Sequence, residues 1–414
     1  MNKFFLSLVN LFIIALLIRI ILSFLPPFEI DQIGWRNWAL RMTEVGPANF
    51  YSEKVFTDNP PGFLYVFWLI GFIKTTFFPN AINNLVFDFL LKLPTNIADI
   101  LSALIIYKLI KRKLNGKWAF LGFCLYAFNP ITIFNSAIWG QFDGSATLFV
   151  LLSLYAFFVR KSPKLSSSFF AVAWAIKPQA IAFAPVLTLL FLTQTKPKTW
   201  ISSALIFMIT TTIIYLPFFP QNPIAGIIHV QKAMTGIFSC TTCFAFNFWG
   251  VFGNWQNDQS FFQGLTLMHW GVVLLALSLI PIFFLKPFKL RFAQPYIYLT
   301  SSLSIFAFFS FITRMHERYL FSFFSLFLIS AILLRSKILL SFYFLISVIH
   351  LINLYLPYAY YNKHLVLNPK LTEMILNNFK FLSAFSILIL ISLIGYLIKL
   401  TNLPKLKEYE TSKN

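Results

Sequence analysis

Long apolar runs recur along this chain from Phe4 to Ile398, and they constrain its fold more than any other feature. A run of about 20 apolar residues is enough to cross a bilayer as a helix. By length alone, 414 residues would suit two or three soluble domains. The composition does not, at 58% hydrophobic and 11% charged residues with a mean hydropathy of +0.75. Even a large soluble domain leaves roughly a quarter of its unfolded-chain surface exposed, so this much apolar surface needs lipid around it. The expected fold is an all-α polytopic membrane protein.

The formal charge of +20 does not indicate nucleic acid. Its basic residues form short clusters between the apolar runs: Lys108–Lys117, Arg160–Lys164, Lys196 and Lys198, Lys286–Arg291, Arg335 and Lys337, and the tail from Lys399. That is the positive-inside pattern of a multispanning protein, whereas a groove reader gathers its charge on one soluble face. With these clusters inside, the N-terminus is cytoplasmic and Phe4–Leu25 is a retained first span. Pro26-Pro27 and Pro60-Pro61 then bracket a first outer loop, 26–61. Residues 62–110 cross once or three times. Lys177-Pro178 breaks an apolar stretch into two short helices. Long outer loops are expected at 220–263 and 357–379, and the charge pattern places about twelve spans in all.

Of the 13 acids, only Glu408 and Glu410 fall in cytoplasmic segments on this map. Asp88 and Asp99 fall in the membrane region, with Lys92 a candidate partner for Asp99 if the helix breaks between them. The other nine lie outside with Asn, Gln, His and Trp, so the working face is expected there. Cys240 and Cys243 form one C-x-x-C without a second pair, which does not suit tetrahedral zinc. A local disulfide and two free thiols are both open. No Asn-x-Ser/Thr sequon occurs, which favours a prokaryotic plasma membrane over the endoplasmic reticulum.

The first outer loop reads Ile30-Asp31-Gln32-Ile33-Gly34-Trp35-Arg36 and closes on Thr57-Asp58-Asn59-Pro60-Pro61-Gly62. Lys92-Leu93-Pro94 with Asp99, Trp139-Gly140-Gln141-Phe142-Asp143, Lys177-Pro178-Gln179, Ala245-Phe246-Asn247-Phe248-Trp249-Gly250 and Arg314-Met315-His316-Glu317-Arg318-Tyr319 follow in order. This series resembles the GT-C superfamily of glycosyltransferases, and within it the prokaryotic relatives of the second mannosyltransferase of GPI-anchor assembly. The likeness covers residues 1 to about 335. It implies a GT-C-like bundle with a catalytic first outer loop: a core over 1–335 that includes 26–61, then C-terminal helices and a cytoplasmic tail over 336–414. It also implies a polyprenyl-phosphate hexose donor, most simply mannose, a glycan or glycolipid acceptor, and inversion at the anomeric carbon.

On that resemblance Asp31 is the candidate catalytic base, because the phosphate leaves as a stable anion and the acceptor hydroxyl still has to lose its proton. A solvated acid at a span end is the alternative. Lys177, Arg314, His316 and Arg318 are candidates for the donor phosphate. Snorkelling and headgroup anchoring are their alternatives. Asp58, Gln141, Asp143, Gln179, Asn247 and Trp249 are candidates for sugar or acceptor binding, against helix capping for the acids and an interfacial aromatic belt for Asn247 and Trp249. No cofactor is expected and no metal ligands are assigned, although Asp31, Asp58 and Asp143 could hold a divalent ion if they converge. A secondary transporter or lipid flippase is the main alternative function, and a non-catalytic scaffold the third. Membrane lipid is an expected partner; the oligomeric state is open.

Overall fold

The computed structural model describes residues 3–52, 57, 59–80, 84–284, 294–365 and 368–401. The basic cluster Lys286–Arg291, Glu408 and Glu410 lie outside the described residues. The chain is mostly helical, as an all-α polytopic membrane protein should be. By length and composition four described helices could cross a membrane: Leu85–Lys111, Pro197–Tyr215, Lys337–Tyr361 and Phe379–Leu400. A fifth is added if Gly116–Ala127 and Pro130–Trp139, bent by 44° at their junction, form one span. Shorter apolar helices include Leu64–Phe77, Asp143–Phe158 and Pro178–Gln194.

Many helix starts follow one local rule, a polar residue followed by proline. Asn129-Pro130, Ser162-Pro163, Asn222-Pro223 and Asn368-Pro369 each place a side-chain oxygen on a backbone N–H of the first turn. The proline then sits where its missing N–H costs nothing. Helix Pro163–Ile176 stops at Lys177, which is extended (φ −140°, ψ 117°) ahead of Pro178, and the chain resumes through a tight turn into helix Ala184–Gln194. The break expected at Lys177-Pro178 is present.

Two compact units emerge. The first holds the described residues up to Ile181, Lys198–Phe238 and the short segment from Tyr360. Here the segment read as an outer loop contains a helix, Glu29–Val45. The prolines before it block an earlier start, Glu29 and Asp31 suit its positive end, and Trp35, Trp38, Ala39 and Met42 supply a buried stripe at helical spacing. That stripe packs into an aromatic core where the Phe63 and Phe142 rings stack at 4.3 Å and Phe67 stands edge-on to both.

Helix Leu85–Lys111 runs unbroken through Pro94. Seven residues span about 10 Å of helix, so Lys92 and Asp99 do not pair as expected. Lys92 Nζ instead donates to the Ser23 and Leu25 carbonyls, at 3.0 and 2.7 Å. Asp99 is fully buried, beside Arg19 and Asp143.

The second unit holds Ala182–Pro197, Ser239–Ala359 and the described residues from Asn368. Helices Leu267–Phe284, Gln294–Phe311 and Phe321–Leu333 belong to it. The stretch before them folds on a parallel strand pair, Thr242–Cys243 with Met315–His316, and on the hairpin Phe261–Phe262 with Leu265–Thr266. Cys240 and Cys243 form a disulfide.

Candidate functional site

In the first unit, the start of helix Glu29–Val45 is tied down from two directions. The Phe28 amide donates to the Trp139 carbonyl at 3.1 Å, and the Phe28 ring lies 4.6 Å from the Trp139 indole. Buried Asn362 bridges the same turn, donating to the Pro27 carbonyl at 3.0 Å and accepting from the Glu29 amide at 3.3 Å. Asp31 is thereby presented from a fixed first turn.

The facing segment follows the widened turn Phe134–Trp139, which closes at Gly140 with φ +98°, a left-handed value suited to glycine. The amides of Gly140 and Gln141 both donate to the Asn135 carbonyl, at 3.1 and 2.9 Å. The hairpin-like return aims two side chains at one carboxylate oxygen. Trp139 Nε1 donates to Asp31 Oδ2 at 2.9 Å, and Gln141 Nε2 donates to the same atom at 2.5 Å.

Behind Gln141 stands Lys177. Its Nζ donates to Gln141 Oε1 at 2.9 Å, pairs with Asp143 Oδ1 at 3.2 Å and lies 4.4 Å from the centre of the Phe142 ring. Asn135 Nδ2 holds the other Asp143 oxygen at 3.3 Å. Trp139, Gln141, Asp143 and Lys177 are all buried, while Asp31 is half-buried. Its second oxygen, Oδ1, accepts no hydrogen bond among the described residues and is not enclosed.

Asp31, Gln141, Asp143 and Lys177 are therefore brought together. Gln179 lies two residues beyond, half-buried in the turn after Lys177. Asp58 lies outside the described residues. The Trp139 indole is fully buried against Phe28, so its face is closed to a sugar ring and its N–H serves Asp31 instead. Among the described residues, no group of three or more His, Cys, Asp or Glu side chains is arranged to hold a metal ion.

Arg314, His316, Arg318, Asn247 and Trp249 belong to the second unit. Arg314 grips Asp258 with two nitrogens, Nε to Oδ2 at 2.6 Å and Nη2 to Oδ1 at 3.2 Å, and Asp258 is fully buried. Buried Glu317 accepts from Arg318 Nη1 at 2.9 Å, with His316 Nδ1 4.0 Å from its other oxygen. Asn247 and Trp249 are buried. Trp249 Nε1 donates to the Phe311 carbonyl at 2.7 Å and Asn247 Nδ2 to the Phe309 carbonyl at 3.3 Å, which commits both to the end of helix Gln294–Phe311.

Three participants carry no motif signal: Asn135, Asn362 and the ion group Arg36–Asp88–Glu29. Arg36 Nε donates to Asp88 at 2.6 Å and Nη1 to Glu29 at 2.9 Å. Burial works to lower the Arg36 pKa, but these two carboxylates outweigh it and hold the group above its ordinary value. The two-turn spacing of Glu29 and Arg36 was the one local hint. A recess of about 520 Å³ opens beside Arg36, lined also by Ile33, Asn37, Leu40 and Lys74. Asp31 is not among its lining residues.

No protein-family model matches the chain, and no curated protein is similar to it.

Proposed function

We propose that this protein is a membrane glycosyltransferase of the GT-C type, transferring a hexose, mannose by the resemblance, from a polyprenyl-phosphate donor. The observation that carries the proposal is the state of Asp31. Two neutral donors hold one of its oxygens and the other stays open, on a rigid turn among apolar helices. In this reaction the acceptor hydroxyl oxygen forms a bond to the anomeric carbon while the carbon–oxygen bond to phosphate breaks with inversion. The lipid phosphate leaves as an anion, and the hydroxyl proton passes to Asp31 Oδ1. A base so positioned contributes about 10²–10⁴-fold.

In this reading Lys177 is not free to hold the donor phosphate, because Gln141 and Asp143 engage it. The reading keeps a GT-C-like bundle of about twelve spans as its expectation, of which four described helices, or five with the bent pair, are long and apolar enough to cross. The active face is non-cytoplasmic, in a prokaryotic plasma membrane. The Cys240–Cys243 disulfide supports that side, since such bonds persist in oxidising compartments.

The test is transfer of labelled mannose from polyprenyl-phosphomannose by the full chain in nanodiscs, against a panel of glycan acceptors. Asp31→Asn keeps the shape and removes the base, and should reduce turnover by at least ~10²-fold. Full activity in that variant refutes the assignment. Movement of the intact donor across the bilayer without transfer would establish the transporter reading instead.

A further inference from the structure

We propose that Lys177 and Gln141 form a one-way hydrogen-bond relay that positions Asp31, so that Oδ1 alone is free to take a proton. This rests on the reading of Asp31 as the base. The direction follows from chemistry. An ammonium only donates, so the Gln141 atom 2.9 Å from Lys177 Nζ must be the carbonyl oxygen. That choice turns the Gln141 amide nitrogen toward Asp31, where it can only donate. Indole Nε1 of Trp139 is likewise a donor only, and it meets the same oxygen at 2.9 Å.

Asp31 Oδ2 thus faces two N–H groups and has no room for a proton of its own. A proton arriving at this carboxylate must settle on Oδ1, the oxygen without a described hydrogen bond. Without Lys177, Gln141 loses the contact that fixes its amide, and either end could then face Asp31. An amide oxygen turned toward the carboxylate repels it and swings Oδ1 out of line. Lys177 is therefore a positioning residue, buried on the far side of Gln141 and anchored by Asp143 and the Phe142 ring.

Two measurements on the full chain test the relay. The first does not depend on substrate: ¹⁵N-indole NMR in detergent, with the Trp139 resonance assigned among the ten tryptophans by Trp139→Phe. Gln141→Met cuts the relay without touching a charge. Lys177→Met/Asp143→Asn removes both members of the buried ion pair, so neither charge is stranded. Both variants should shift the Trp139 signal in the same sense as Asp31→Asn, and an unmoved signal in the Lys177 variant overturns the relay.

The second is the kinetic split. Misplacing a reactive group by about 1 Å can cost about 10²-fold, so kcat should fall at least ~10-fold with the donor KM unchanged, and the triple variant should be no worse than either parent. A raised donor KM with kcat preserved would instead make Lys177 a phosphate ligand and sink the proposal. If the wild type transfers no sugar at all, the glycosyltransferase reading fails while the NMR arm still decides the relay.

Discussion

Replacing Arg314 by alanine separates a structural arginine from a substrate-binding one. In the structure the guanidinium meets Asp258 at 2.6 and 3.2 Å, and the Asp258 side chain is 0% exposed whereas that of Arg314 is 22% exposed. Removing one partner of a buried pair costs about 3–5 kcal/mol, because the other charge is left sealed inside. Asp258 would keep two donors, the Thr313 hydroxyl at 3.0 Å and Gln259 Nε2 at 2.8 Å. The cost of Arg314→Ala therefore lies near the lower figure, about 3 kcal/mol.

The reverse deletion, Asp258→Ala, should cost only about 1.5–3 kcal/mol, since the more exposed arginine can turn toward water. Position 314 also has φ +63°. Arg314→Gly should recover about 1 kcal/mol relative to the alanine variant. At about 2–4 °C per kcal/mol for a unit of this size, Arg314→Ala should lower the melting temperature by about 6–12 °C in a detergent thermal scan. Arg314→Ala is expected to be the most damaging of the three, with Arg314→Gly and Asp258→Ala both milder. A shift under ~2 °C, together with a raised KM for the polyprenyl donor, would refute this and return Arg314 to the phosphate.

Two further outcomes follow from close packing and from covalent linkage. Gly144 has no room for a β-carbon, which would run into Asp99 Oδ1 and Thr95 Oγ1. Gly144→Ala should destabilise by about 1–3 kcal/mol, and adding Asp99→Ala should recover most of the loss in the same thermal scan. Maleimide should label one cysteine, Cys124, in the denatured native protein and three after reduction. Closing so short a loop is worth about 2 kcal/mol, so reduction should lower the melting temperature measurably.

The apolar runs and the break at Lys177-Pro178 were readable because each is a local effect of a few neighbouring residues. The grouping of Asp31, Gln141, Asp143 and Lys177 was visible only as ordered motifs, since nothing local says that residues 31 and 177 meet. The helix Glu29–Val45 was hidden by its many polar residues, although its buried stripe was present at the right spacing. The role of Trp139 was not legible, because an aromatic in a turn looks the same whether its face is open or covered, as here by Phe28. Asp258, the partner of Arg314, lies 56 residues earlier with no pattern linking them. Asn362 braces the turn of Asp31 from beyond the last motif, where the sequence offered no signal.

Three lone cations in apolar surroundings, Arg19, Lys92 and Lys177, look alike in the sequence, and the structure separates them by what they face. Arg19 Nη1 donates to the carbonyl of Ala127 at 2.7 Å, the last residue of helix Gly116–Ala127. Lys92 donates to carbonyls just past the end of helix Lys3–Leu22. A cation at a helix C-terminus satisfies carbonyls that have no partner within the helix, so these two complete the scaffold. Lys177 instead meets a carboxylate and an amide beside Asp31. Its charge is balanced by Asp143, and it reaches Asp31 only through the neutral amide of Gln141. In the proposed reaction that arrangement suits a base. A cation in direct contact would favour the carboxylate over its protonated form and oppose proton uptake, whereas neutral donors orient the group with a weaker hold. In that proposal one intervening glutamine lets Lys177 orient Asp31 without touching it.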